Sequence, residues 1–174
     1  MEGPELIAEA LGRVNQILHR SLDNAPPDTL NRMPTEGTNS IAWLAWHLTR
    51  VHDDHLSDLE GQPQLWIAGD WHKKFGMPPN EKETGGGHTL EQVAAFRVES
   101  VDVLLDYNDA VLERTKAFLA TLDSAALDRA LDEPQYTPLP TVGVRLVSVV
   151  SDNTQHAGQI GYLRGYFDGF GWRR

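Results

Sequence analysis

Asp152 and His156 stand four residues apart in a stretch, SDNTQHAGQIGYLRGYF, whose apolar residues recur every three to four positions. On a helix this spacing puts both side chains on one face, a turn apart, where they can share a ligand. With Val149 at the centre of the inward stripe, Asp152 falls at about −60° and His156 at about −20°, beside Ile160 at about 20°. A carboxylate turned toward a core needs compensation, and a metal ion supplies it. A second segment, IAWLAWHLTRVHDDHLSDLE, carries His47, His52 and His55. Around Leu44 these fall at about −60°, 80° and 20°, so each is half inward. One of the three, with Asp152 and His156, would bring two imidazoles and a carboxylate from two facing helices and leave positions open for water or substrate. That pattern belongs to catalytic rather than structural metal sites.

The same residues have plainer uses. An aspartate and a histidine at i, i+4 also make an ordinary surface ion pair. His55, centred on the apolar stripe, reads as a core histidine, and His52 with Asp53 and Asp54 reads as a solvated shoulder. His72 and His88 fall in a segment rich in Trp, Pro and Gly, where exposure is expected. Trp43, Trp46, Trp66, Trp71 and Trp172 read as core or interface anchors. Gly85-Gly86-Gly87 follows no strand and precedes no Gly-Lys-Ser/Thr, so it is no phosphate cradle. No Gly-x-Ser-x-Gly elbow is present for a serine nucleophile.

The elements that must position these groups are four long helical patterns. The first runs from Pro4 to about Leu22, with Leu11, Val14, Leu18 and Leu22 on its apolar side. Prolines 26, 27 and 34 then hold the chain in a connection until Asn39 or Ser40 caps a second helix to Glu60, closed by Gly61. Residues 62–88 form a long irregular excursion, a candidate wall or lid. Thr89, followed by Glu91 and Gln92, opens a third helical stretch running through Val101 and Phe118 to about Leu122. A short turn is expected at Ser124 to Leu131, and a last helix from Thr141 to about Phe167. With no alternating strand pattern, the expected architecture is an all-α four-helix bundle with long connections.

A chain of 174 residues is the length of one domain, so residues 1–174 are read as a single unit. It contains no cysteine, which excludes disulfides, thiolate metal sites and a cysteine nucleophile of its own. Any thiol chemistry must therefore use a thiol from outside. Fifteen basic against 25 acidic residues give a net charge of −10, a field that repels phosphate backbones, so no nucleic-acid partner is expected. No run reaches the roughly 18 apolar residues of a membrane span. The start MEGPELIAEALG lacks the basic stretch of a leader, which predicts a cytoplasmic protein.

The segments IAWLAWHLTRVHDDHLSDLEGQPQLW and SDNTQHAGQIGYLRGYFDG resemble the second and last helices of the DinB-like superfamily, which includes bacterial thiol transferases and the metal-binding domain of mycothiol-dependent maleylpyruvate isomerase. The resemblance implies a four-helix bundle, a homodimer, and a divalent metal held by a second-helix histidine and a pair on the last helix. These positions match His47, Asp152 and His156, with Gln159 in the family's HxGQ stretch. Asp152 departs from the pattern: many members carry histidine there, and the isomerase branch carries glutamate. The implied activity is S-transfer or isomerisation through a metal-activated thiol of the mycothiol or bacillithiol type. Arg145 and Arg164 are candidates to meet an anionic group of that thiol or its substrate. Zinc or nickel suits the donor set first, with iron or manganese also accommodated. The rival readings are a metal-dependent hydrolase using activated water, and a non-catalytic metal-binding stress-response protein.

Overall fold

The structure is a computed structural model and describes residues 1–169 and 171. Its elements in chain order are α1 (Gly3–Leu22), α2 (Pro27–Asn31), α3 (Ile41–Glu60), α4 (Leu65–Ala68), α5 (Trp71–Lys74), α6 (Leu90–Ala95), α7 (Asp102–Leu119), a 3-10 turn (Ser124–Asp128) and α8 (Val142–Asp168). Among the described residues there is no sheet, only a single bridge between Ala130 and Thr141.

Local chemistry sets the ends of the helices that matter most. Ser40 Oγ accepts from the Trp43 N–H at 3.1 Å and opens α3. Gly61, at φ 64°, closes it in the left-handed conformation that glycine adopts without strain. Thr141 Oγ1 accepts from Val144 N–H at 3.2 Å and opens α8. The four long helices α1, α3, α7 and α8 form the bundle, with α3 packed on α8 and α7, and α1 packed on the same two. Between them lie Leu18, Leu30, Trp46, Trp66, Tyr107 and Ile160, all essentially solvent-free.

The third helical stretch differs from the sequence expectation of one pattern from Thr89 to Leu122. Thr89 and Gln92 do form the expected reciprocal cap, but α6 ends at Ala95. The chain then crosses to α7 in non-helical form because the Asn31 side chain takes both backbone groups of buried Val98. Its Oδ1 accepts from Val98 N–H at 2.9 Å, and its Nδ2 donates to Val98 C=O at 2.8 Å. An amide from the end of α2 thus replaces the helical hydrogen bonds there. The tryptophans at 43, 46, 66 and 71 are buried as expected. Trp172 lies outside the described residues.

Candidate metal centre

Helices α3 and α8 run antiparallel, so three polar pairings succeed one another along their seam. At one level His47 meets His156, with ring centroids 5.0 Å apart. Next, Asn153 approaches His52, and beyond that Arg145 meets His55. At the first level one ligand atom from each of His47, Asp152 and His156 lies within 4.8 Å of the others. This group of two imidazoles and one carboxylate could hold a metal ion.

Each imidazole is oriented through its Nδ1. His47 Nδ1 lies 2.5 Å from the carbonyl of Thr84. A carbonyl only accepts, so Nδ1 carries the proton and Nε2 is left with its lone pair. His156 Nδ1 faces the Gln159 side-chain oxygen at 2.7 Å, while its Nε2 lies 3.5 Å from Asp152 Oδ1. Gln159 is therefore an orienting group for His156. The other Asp152 oxygen, Oδ2, is buried and has no hydrogen-bond partner among the described residues. A buried carboxylate oxygen without a donor is costly, and a cation at this place would remove the cost.

Burial holds the His47 imidazole below its ordinary value, against the Thr84 carbonyl and the Asp152 charge, which act the other way. His156 is raised, first by its hydrogen bond to Asp152 and against its own burial. Asp152 raises both imidazoles, yet they end on opposite sides of the ordinary value, because burial dominates at His47 and the hydrogen bond to Asp152 dominates at His156.

The three histidines that the sequence left as alternatives are separated by their surroundings. The Thr115 hydroxyl donates to Val111 C=O at 2.7 Å, so at 2.8 Å it must accept from His52 Nε2–H. The opposite ring nitrogen receives the Asn153 amide at 3.3 Å. Both nitrogens of His52 are engaged, and burial pushes its pKa down to about 4. His55 Nδ1 accepts from Arg145 Nη1 at 3.1 Å. Only His47 joins Asp152 and His156.

Several expectations are corrected here. His52 and Asp53 are not a solvated shoulder; both are buried, because α3 turns that side toward α7 and α8. Asp53 accepts from Leu65 N–H, Trp66 N–H and the Tyr107 hydroxyl at 2.7–3.0 Å. His72 is buried against Trp66, and His88 is half-buried between Trp43 and the Glu83 carboxylate, since the 62–88 excursion folds back onto α3. Arg164 is 4% exposed, pairs with Asp168 at 2.7 Å and donates to Asp23 C=O at 3.2 Å. Arg145 lines a cleft of about 460 Å³ with His55 and Tyr136, and its guanidinium is matched by Glu133 and Asp58. Sequence reasoning passed over Arg50 and Thr84. A main-chain carbonyl has no residue-type signal, and an arginine on an apolar helix announces nothing about its partners.

A bundle of four long helices with a His, Asp, His group across two of them defines the class. The model of the DinB superfamily matches residues 10–160, and the chain belongs to that superfamily. Among solved structures it is similar to the crystal structure of the conserved protein of locus from Enterococcus faecalis, at 32% identity over 97% of this chain and 99% of that one, with a TM-score of 0.88. A comparison with curated proteins finds no match. No helix among the described residues is long and apolar enough to cross a membrane.

Proposed function

We propose that this member of the DinB superfamily is a divalent-metal-dependent enzyme that uses a low-molecular-weight thiol, of the mycothiol or bacillithiol type, for S-transfer or isomerisation. The observation that carries the reading is the convergence of His47, Asp152 and His156 around the partnerless, buried Asp152 Oδ2. When bound, a divalent metal would favour the thiolate form of a thiol at neutral pH. The chain's own residues do the rest. Thr84 and Gln159 hold the two Nδ1 atoms so that both Nε2 atoms are presented, and Asp152 supplies the negative charge. Three protein ligands leave room for an exogenous donor, which agrees with a chain that has no cysteine.

A groove beside Asp152 supports this reading as the place for the electrophile. This open groove of about 830 Å³ has Asp152 in its wall, together with the apolar Leu6, Ile7, Val144 and Val147 and the polar Thr141, Ser148 and Gln155. It suits a substrate with both apolar and polar parts. Arg145, already balanced by two acids, favours an anionic group less than its type suggests. We assign the reaction to the cytoplasm and the active form to a homodimer. The exposed aromatic pair Tyr162 and Tyr166 on α8 supplies a surface for a second copy.

Elemental analysis of untagged protein tests the reading, with an Asp152→Ala, His156→Ala double variant matched for folding by circular dichroism. About one divalent metal per chain in the wild type and none in the folded variant is expected, with zinc or nickel before iron or manganese. Loaded wild type should then consume a thiol in the presence of an electrophile. Metal absent from both proteins after reconstitution overturns the proposal, and ester hydrolysis without thiol would favour the hydrolase instead.

A further inference from the structure

Three residues beyond His47 on the same face of α3, the buried Arg50 guanidinium binds the far end of the 62–88 excursion. Its Nε donates to Glu83 C=O at 2.9 Å, and its Nη2 donates to Glu81 C=O at 2.9 Å and to Gln64 Oε1 at 2.7 Å. Its Nη1 contacts Asp53 at 3.5 Å and the Tyr107 hydroxyl at 3.1 Å. Asp53 in turn receives the Leu65 and Trp66 N–H groups, so one ion pair fastens both ends of the excursion to α3. The residue after Glu83 is Thr84, whose carbonyl takes the His47 Nδ1 proton. Gly85 follows at φ 88°, so close that a Cβ there would lie 2.8 Å from Trp43 and Trp46 and 3.3 Å from His47 Nδ1.

We propose that Arg50 is a positioning residue that fixes the tautomer of His47 by pinning residues 81–85 over α3, with Gly85 the only residue type that allows the approach. The functional part of this inference rests on the metal role assigned above to His47. The Thr84 carbonyl has no side chain to steer it, so its place is set by the anchors on either side. These are the Arg50 bonds to Glu81 and Glu83 before it, the contact of Gly85 with two indoles after it, and the Glu83 carboxylate, which accepts from Gly85 N–H at 3.1 Å and meets His88 Nε2 at 2.8 Å. A carbonyl held there selects Nδ1–H and leaves Nε2 unprotonated, the form a metal-binding imidazole needs. Without the clamp, His47 would distribute between both tautomers.

The test compares metal-free wild type, Arg50→Lys and Gly85→Ala at pH 8 by long-range proton–nitrogen spectra of the histidine rings, then measures zinc affinity by competition with a chelating indicator. Arg50→Lys keeps the charge but offers its donors from one point instead of a fork. Gly85→Ala displaces the carbonyl with the ion pair intact, and it decides the matter should the lysine variant fail to fold. Both variants are expected to gain the Nε2–H form and to lose zinc affinity by about 10–100-fold. Leu22→Ala, a core variant away from the clamp, should lower Tm while leaving tautomer and affinity unchanged. A His47 that stays Nδ1–H in folded Arg50→Lys and Gly85→Ala overturns the clamp, as does the same shift in Leu22→Ala. If wild type binds no zinc but the tautomer still moves in the two variants, the clamp stands and the metal proposal falls.

Discussion

Between His47 and Asp53, α3 contributes to two polar clusters, and they differ in how far the protein satisfies them. Around Arg50 and Asp53, both free of solvent, the guanidinium uses all its N–H groups and the carboxylate receives two backbone amides and a phenol. Around His47, Asp152 and His156, the two Nδ1 atoms are held, yet one buried carboxylate oxygen is left without a donor. A cluster saturated by its own chain has no capacity for a ligand and acts as a fastening. A cluster oriented but unsaturated is where an external cation is favoured.

The largest effect is expected at Asp53. Asp53→Ala leaves the guanidinium buried without its acid, and denaturant unfolding of the metal-free protein should show a loss of about 3–5 kcal/mol. A loss under about 1 kcal/mol would remove the fastening role. The next largest effect lies between the clusters, at His52. Its folded pKa of about 4 lies below the ordinary 6.5. The unfolded chain therefore binds the proton first, and the neutral-histidine contribution is complete above pH 6.5 and lost as pH falls toward 4. Urea unfolding across that window should reveal up to ~3 kcal/mol of pH-dependent stability. An equally steep decline in His52→Gln would assign it to other groups.

The smallest effect is expected at Asp152. Asp152→Asn should change the stability of metal-free protein by less than about 1 kcal/mol at pH 8, because the Asp152 and His156 side chains are 30% and 19% exposed and partly screened. His156 is raised by this partner, so the pair's contribution is present at low pH and disappears as pH rises through the folded value. The same variant should nevertheless fail to retain zinc on gel filtration. A stability loss as large as that of Asp53→Ala would mean that the two clusters serve the same structural purpose.

Much of the frame was legible from local pattern. Ser40 and Gly61 bound α3 because a hydroxyl cap and a left-handed glycine act on the neighbouring turn alone. Asp152 and His156 share a face because four residues make about one turn. The site's third member was narrowed to three histidines by periodicity and to His47 by family resemblance, and the structure brings His47 to the other two. Asp53 beside Asp54 carried the usual signature of a solvated surface. Its burial depends on Tyr107, Leu65 and Trp66, which local pattern does not connect to it. The break after Ala95 was illegible for the same reason, since Asn31 imposes it from 67 residues away.

By itself the sequence determined the helical class, the ends of α3 and α8, the absence of an internal thiol and the face on which Asp152 and His156 stand. Each of these follows from residue type and from spacing within a turn or two. Which acid is buried and saturated, and which main-chain carbonyl orients the His47 ring, came from the tertiary structure alone. Those outcomes depend on antiparallel register between α3 and α8 and on where the 62–88 excursion returns, and both are set by contacts between residues far apart in the chain.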